Sequence, residues 1–137
     1  MAVSSIVVGV DGTPPSLRAL AMAVGVASRE KGFVHGCYVS HTPVPAIGLA
    51  VGIAPMPLDD DDGGELGRTV CEELERAGVE GEFTTLTGEV GREIEVLADG
   101  CHADLIVVGR SRHQALHLGG VPRRLLSTGR WPVLVVP

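Results

Sequence analysis

The run Ile6-Val7-Val8-Gly9-Val10 presents no polar residue to either side. A strand with that pattern is buried on both faces, because a half-exposed strand alternates apolar with polar residues. Leu105 to Val108 and Val133 to Val136 are β-branched runs of the same kind. Strands buried on two faces need helices on two faces, and the intervening sequence supplies them. One helix is predicted from about Pro15 to Lys31, with Leu17, Leu20, Ala21, Val24 and Ala27 as its apolar stripe, Thr13 as N-cap and Gly32 as C-cap. A second runs from Glu65 to Ala77 on Leu66, Val70, Leu74 and Ala77. A third runs to about His102 on Ile94, Leu97, Ala98 and Cys101, and a fourth from about Gly119 to Thr128. Phe33 to Ser40 reads as a strand with Val34, Cys37 and Val39 inward, and Gly81 to Thr87 as a more polar strand near a sheet edge.

The alternation βαβαβαβαβ implies right-handed crossovers and a mostly parallel sheet. In such open sheets a ligand sits beyond the carboxyl ends of the strands. Asp11 and Gly109 each follow one of those ends, so a site is expected between them. The length, 137 residues, fits one domain, 1–137, with a core that needs no staples. Aromatic residues are 3% of the chain, so that core must be aliphatic. Cys37, Cys71 and Cys101 are scattered and odd in number, which reads as buried free thiols in a reducing compartment. No run of about 18 apolar residues is present, and Asp11 interrupts the first apolar stretch. A cytoplasmic protein without a membrane segment is expected.

Charge is divided unevenly. All 17 acidic residues lie at or before Asp104, so the first 104 residues carry −11 and the last 33 carry +5. A net charge of −6 argues against nucleic acid as the main partner. Arg110, Arg112, Arg123, Arg124 and Arg130 form a basic segment where a strand, a loop and a helix N-terminus meet. Backbone N–H groups and the helix dipole favour an anion there, and phosphate is the commonest. The plainer alternative is a basic surface loop.

Several chemistries lack their motifs. There is no G-x-x-x-x-G-K-[ST] phosphate loop, no G-x-G-x-x-G after the first strand and no G-x-S-x-G elbow. A phosphoacceptor receiver would need clustered acids after the first strand and a late lysine, and the single lysine is Lys31. His35, His41, His102, His113 and His117 show no metal-ligand spacing. Asp59 to Asp62 form a straight acidic run, which reads as the approach to a helix N-terminus rather than a cation cage. His41 to Met56 has no clear period and reads as a long loop. No catalytic residue and no metal site are assigned.

Three segments carry a resemblance. They are Ile6-Val7-Val8-Gly9-Val10-Asp11-Gly12-Thr13 with Ser16 and Ala19-Leu20, then Ala103-Asp104-Leu105-Ile106-Val107-Val108-Gly109, and Trp131-Pro132-Val133-Leu134-Val135-Val136. In this order the chain resembles the universal stress protein family over essentially its whole length. The resemblance implies a Rossmann-like, five-stranded open parallel sheet of order 3-2-1-4-5, of the adenine nucleotide alpha hydrolase-like kind. It also implies a homodimer through strand 133–136, an unidentified protein partner, and a stress-response role. Nucleotide-binding members carry G-x2-G-x9-G-[ST] after the fourth strand. By that resemblance the ligand residues are Val10, Asp11, Gly12, Val39, Gly109, Arg110, Arg112, Gly119 and Gly120. Gly109 matches the first glycine, Arg112 stands at the second, and Gly119-Gly120 closes a loop three residues shorter than the motif. The implied ligand is an adenine nucleotide (ATP, AMP or cyclic AMP), with Mg only if ATP binds and at most slow hydrolysis. The alternative is a dimeric member that binds no ATP and acts through protein contacts.

Overall fold

The computed structural model describes residues 3–40, 61–110 and 120–137. Within them lie β1 (Ser5–Gly9), α1 (Pro14–Glu30), β2 (Phe33–Ser40), α2 (Asp61–Ala77), β3 (Glu80–Thr87), α3 (Val90–Gly100), β4 (Leu105–Gly109), α4 (Val121–Thr128) and β5 (Val133–Val136). The strands form one sheet of order β3-β2-β1-β4-β5, and every neighbouring pair is parallel. β1 lies at its centre, with Ile6 opposite both Val34 and Leu105.

Alternation along the strands divides the core in two. Ile6, Val8, Val34 and Val107 point to the face covered by α1 and α2. Val7, Cys37, Ile106 and Val108 point to the face covered by α3 and α4, where Ile94, Ala98 and Leu125 meet them. The largest fully buried side chains are aliphatic apart from Cys37, as the shortage of aromatic residues requires. The three cysteines are free; Cys37 is buried and Cys101 half-buried, but Cys71 is exposed, against the expectation of buried thiols. Among the described residues no helix is long and apolar enough to cross a membrane.

Three helix details differ from the sequence reading. The inner face of α1 is Ala19, Leu20, Ala23, Val24 and Ala27, while Leu17 and Ala21 are exposed. Its left-handed cap is Lys31, at φ 55°, not Gly32. Gly32 is a glycine for another reason: a Cβ there would lie 2.8 Å from the Val3 carbonyl oxygen. α2 begins at Asp61 and takes Gly63 and Gly64 into its first turns. Small residues are needed on that face, since a Cβ on Gly67 would stand 2.9 Å from the Phe83 ring. The segment 41–60, including Asp59 and Asp60 of the acidic run, lies outside the described residues.

Asp104 stitches the start of β4 to the start of β1. Its Oδ2 accepts from the Ser4 amide at 3.0 Å, the Ser4 hydroxyl at 2.9 Å and the Ser5 amide at 3.0 Å. Those bonds, the Ser4 amide and hydroxyl first, hold its carboxyl below the ordinary value of 3.8. A carboxyl depressed in the fold stabilises it fully above the unfolded value, and that contribution is lost as pH falls through the folded value. Urea midpoints measured from pH 7 downward should therefore fall below about pH 4. Asp104→Asn should be less stable at neutral pH and show a shallower acid limb. A variant whose acid limb matches the wild type would remove Asp104 from the account.

Candidate functional site

The site grows from the way β1 leaves the sheet. The Val10 amide still donates to the Cys37 carbonyl at 2.8 Å, so the ladder persists one residue beyond β1. Gly12 then takes φ +83°, a left-handed turn open to glycine at little cost. Thr13 follows in extended conformation and Pro14 and Pro15 open α1, where missing amide donors cost nothing. Thr13 makes no side-chain cap bond to the helix. Its hydroxyl instead turns back to Asp11.

Asp11 is consequently oriented. Its Oδ1 accepts from the Thr13 amide at 2.9 Å and the Thr13 hydroxyl at 2.5 Å. The Asp11 amide donates to the Ser16 hydroxyl at 3.2 Å, and that hydroxyl donates to the Thr13 carbonyl at 2.9 Å. Partial burial pushes the Asp11 carboxyl upward, but the Thr13 hydroxyl and amide outweigh it and hold the group below its ordinary range. At neutral pH Asp11 is a fixed anionic acceptor on an exposed turn.

The neighbouring strands bring up further candidates. Continuing the β1–β2 register, Gly9 opposite Cys37, sets Asp11 level with Val39. Continuing the β1–β4 register, Val8 opposite Val107, sets it level with Arg110. Val39 is half-buried against the α3 side of the core. The Arg110 amide donates to the Val136 carbonyl at 2.7 Å, which leaves an anchored backbone and an exposed side chain. The Val10 side chain is 2% exposed, so Val10 offers a ligand only backbone. Gly120 caps α4 at φ 127°, a conformation that favours glycine. Pro122 lies in the first turn of α4 and removes one amide donor from that helix N-terminus. Arg112 and Gly119 lie outside the described residues, as do His41, His113 and His117.

Two readings from the sequence change here. The basic segment is not wholly available to an anion. Arg124 pairs with Glu89 at 2.8 Å and Glu95 at 3.4 Å, and Arg130 pairs with Asp99 at 2.7 Å while lying over the Trp131 ring. Both arginines fasten the α4–β5 region to α3. Gly109 also has a packing role. A Cβ on it would fall 2.5 Å from the Pro15 carbonyl carbon, 2.6 Å from the Ser16 nitrogen and 2.7 Å from the Pro15 oxygen. The end of β4 is seated on the first turn of α1, so Gly109 is needed there whether or not a phosphate ever approaches.

Sequence reasoning passed over Ser16 and Thr13 as site residues. Their signal was a serine on the inner, otherwise apolar face of the first helix, five residues after the aspartate. Among the described residues no group of three or more His, Cys, Asp or Glu side chains is placed to hold a metal ion.

Comparison with known proteins places this geometry in context. The family model described as the universal stress protein family matches residues 3–137. A universal stress protein of Methanocaldococcus jannaschii is 33% identical, over 96% of this chain and 80% of that protein. A crystal structure from the same family in Burkholderia pseudomallei is 27% identical, covers 98% of this chain and 96% of the other, and superposes with a TM-score of 0.74. The Archaeoglobus fulgidus universal stress protein in complex with dAMP is 24% identical over the full length of both chains, with a TM-score of 0.72.

Proposed function

The chain belongs to the universal stress protein family, and from that premise we propose that it is a stress-response module that binds an adenine nucleotide at the carboxyl ends of β1 and β4. The observation that carries this reading is Asp11. It is ionised, oriented by Thr13 and placed past the central strand, where an open α/β sheet takes its ligand. The dAMP complex of the Archaeoglobus relative supports the class of ligand. The residues present fit such a group. Asp11 accepts hydrogen bonds from hydroxyl or amino donors, the exposed Arg110 offers a phosphate a charge-assisted partner, and Val39 supplies an apolar edge for a base. Val10, Gly12, Gly109 and Gly120 contribute backbone, and Arg112 and Gly119 complete the proposed set. AMP, ATP and cyclic AMP are the candidates, with Mg accompanying ATP alone. The module is cytoplasmic and works by binding rather than turnover.

A second reading has its own observation. Val133, Leu134 and Val135 are only half-buried on β5, an edge strand bracketed by Pro132 and Pro137. On this reading the protein is a homodimer through that strand, bound to no nucleotide and acting on a protein partner. Calorimetric titration with AMP, ATP and cyclic AMP, each with and without Mg, separates the two. Acid extraction of the purified protein beforehand detects any nucleotide carried through. The first reading expects one nucleotide to bind with Kd below about 1 mM, or about −4 kcal/mol. Silence across the panel at millimolar ligand sinks it, and a dimer by sedimentation would then leave the second standing.

A further inference from the structure

Ser16 is the buried polar residue of the described core, 4% exposed on a face of α1 otherwise made of Pro15, Ala19, Leu20, Ala23, Val24 and Ala27. Packing does not ask for a hydroxyl there. Alanine fits the same space, favours the helix more and brings no polar group to satisfy. The hydroxyl both accepts, from the Asp11 amide, and donates, to the Thr13 carbonyl, which also takes the Leu17 amide at 3.0 Å. One buried oxygen thus closes the Asp11–Thr13 turn from inside while the Asp11 carboxylate closes it from outside. The peptide between Pro15 and Ser16 is also the surface on which Gly109 rests. Both halves of the site, the end of β1 and the end of β4, therefore meet at Ser16.

We infer that Ser16 is the positioning residue of this site, its buried hydroxyl fixing the turn that aims the Asp11 carboxylate past β1. It touches no ligand itself. Its functional meaning rests on the nucleotide reading above, but the experiment that decides it does not. The Asp11 carboxyl is held low first by the Thr13 hydroxyl and amide, which reach Oδ1 only in the turn that Ser16 closes, whereas Asp104 is held low by Ser4 and Ser5 at the opposite end of β1. Asp104 is therefore an internal control in the same spectrum.

Carbon-detected NMR titration of both carboxyl groups in wild type and Ser16→Ala is the test. The Asp11 value should rise toward 3.8 in the variant while Asp104 stays low. AMP affinity should fall about tenfold, the worth of one hydrogen bond that orients a charged group. An unchanged Asp11 value overturns the inference. So does a joint rise of Asp11 and Asp104, which marks general loosening. Should Ser16→Ala not fold, hydrogen exchange of the wild type decides. The Asp11 amide should exchange about 100-fold more slowly than that of Gly12, and equal rates overturn the inference. A wild-type chain that binds no nucleotide removes the site reading and leaves the positioning role to the carboxyl titration.

Discussion

Gly109→Ala is expected to unfold the protein about 10 °C below the wild type, with no nucleotide in the sample. The added methyl would fall 2.5 to 2.7 Å from three backbone atoms of Pro15 and Ser16, where non-bonded carbon contacts begin near 3.5 Å. A flexible side chain would swing aside, but this backbone is the first turn of α1, fixed by Pro15 and Ser16 within the core. Relief requires α1 to lift from β4, which exposes Ala19, Leu20 and Ala23. Overpacking typically costs 1–3 kcal/mol, and the rigidity of the obstacle puts this case near about 3 kcal/mol. The proper control is Gly100→Ala at the end of α3, where a Cβ meets nothing within 4 Å. It should leave the midpoint unchanged or raise it slightly, since alanine loses less entropy in a helix. A Gly109→Ala protein of wild-type Tm with weakened nucleotide binding would reverse the assignment and make the missing side chain of Gly109 a need of the ligand rather than of packing. The same argument disqualifies Gly109→Val as a probe of binding, because it tests the fold first.

That outcome bears on how family signatures are read. Gly109 and Asp104 both belong to segments that carry the resemblance, and both have structural reasons to be there. Asp104 pins the start of β1, and Gly109 lets α1 approach β4. A chain can therefore keep both residues for its fold alone. Asp11 is different. Its carboxylate lies on an exposed turn, and Thr13 and Ser16 serve to orient it rather than to bury it.

Much of the fold was legible because the apolar runs are unambiguous. Ile6 to Val8, Leu105 to Val108 and Val133 to Val136 have no polar alternation to confuse period with face, and β2 and β5 have the boundaries read from the sequence. What was misread depends on how closely elements approach. On α1 hydrophobicity ranks Leu17 above Ala19, but the helix is phased so that Ala19, Leu20, Ala23, Val24 and Ala27 face the sheet and Leu17 stays out. In α2, Gly63 and Gly64 look like punctuation, yet they lie within the helix, and Gly63 faces Thr85 of β3 and Tyr38 of β2 at close range. The charge reading is narrowed in a similar way. Five late arginines look like one basic patch in one dimension, but Arg124 and Arg130 have partners on α3, more than 25 residues earlier. Ser16 gave a weak signal, since a serine on an apolar stripe is recognised as purposeful only when its two bonds are seen.

Asp11→Asn should weaken adenine nucleotide binding about 10- to 100-fold while lowering the thermal midpoint by no more than about 2 °C, the small loss expected when a depressed carboxylate becomes neutral. The substitution is nearly isosteric, and its consequences separate along the two ends of the side chain. The amide oxygen can still accept from the Thr13 amide and hydroxyl, as Oδ1 does now, so the turn and the α1 start are kept. The other end changes from an anionic acceptor to an N–H donor. A ligand hydroxyl or amino group that found an acceptor there would meet a donor instead, and the position loses its charge. A hydrogen bond to a charged group is worth about 1.5–3 kcal/mol, which sets the expected loss of affinity. Asp11→Ala is the less informative variant, because it also releases Thr13 and mixes turn stability with binding. Calorimetry with AMP on wild type, Asp11→Asn and Gly100→Ala, with thermal melts of each, gives both quantities. Equal affinity in wild type and Asp11→Asn would mean that the nucleotide does not use the end of β1, and the ligand would then have to be sought away from the central strand. A loss of affinity matched by a loss of stability would make Asp11 a structural residue like Asp104. Only a loss of binding that far exceeds this small loss of stability makes the ionised carboxylate, held by Thr13 in the turn that Ser16 closes, the group that recognises the ligand.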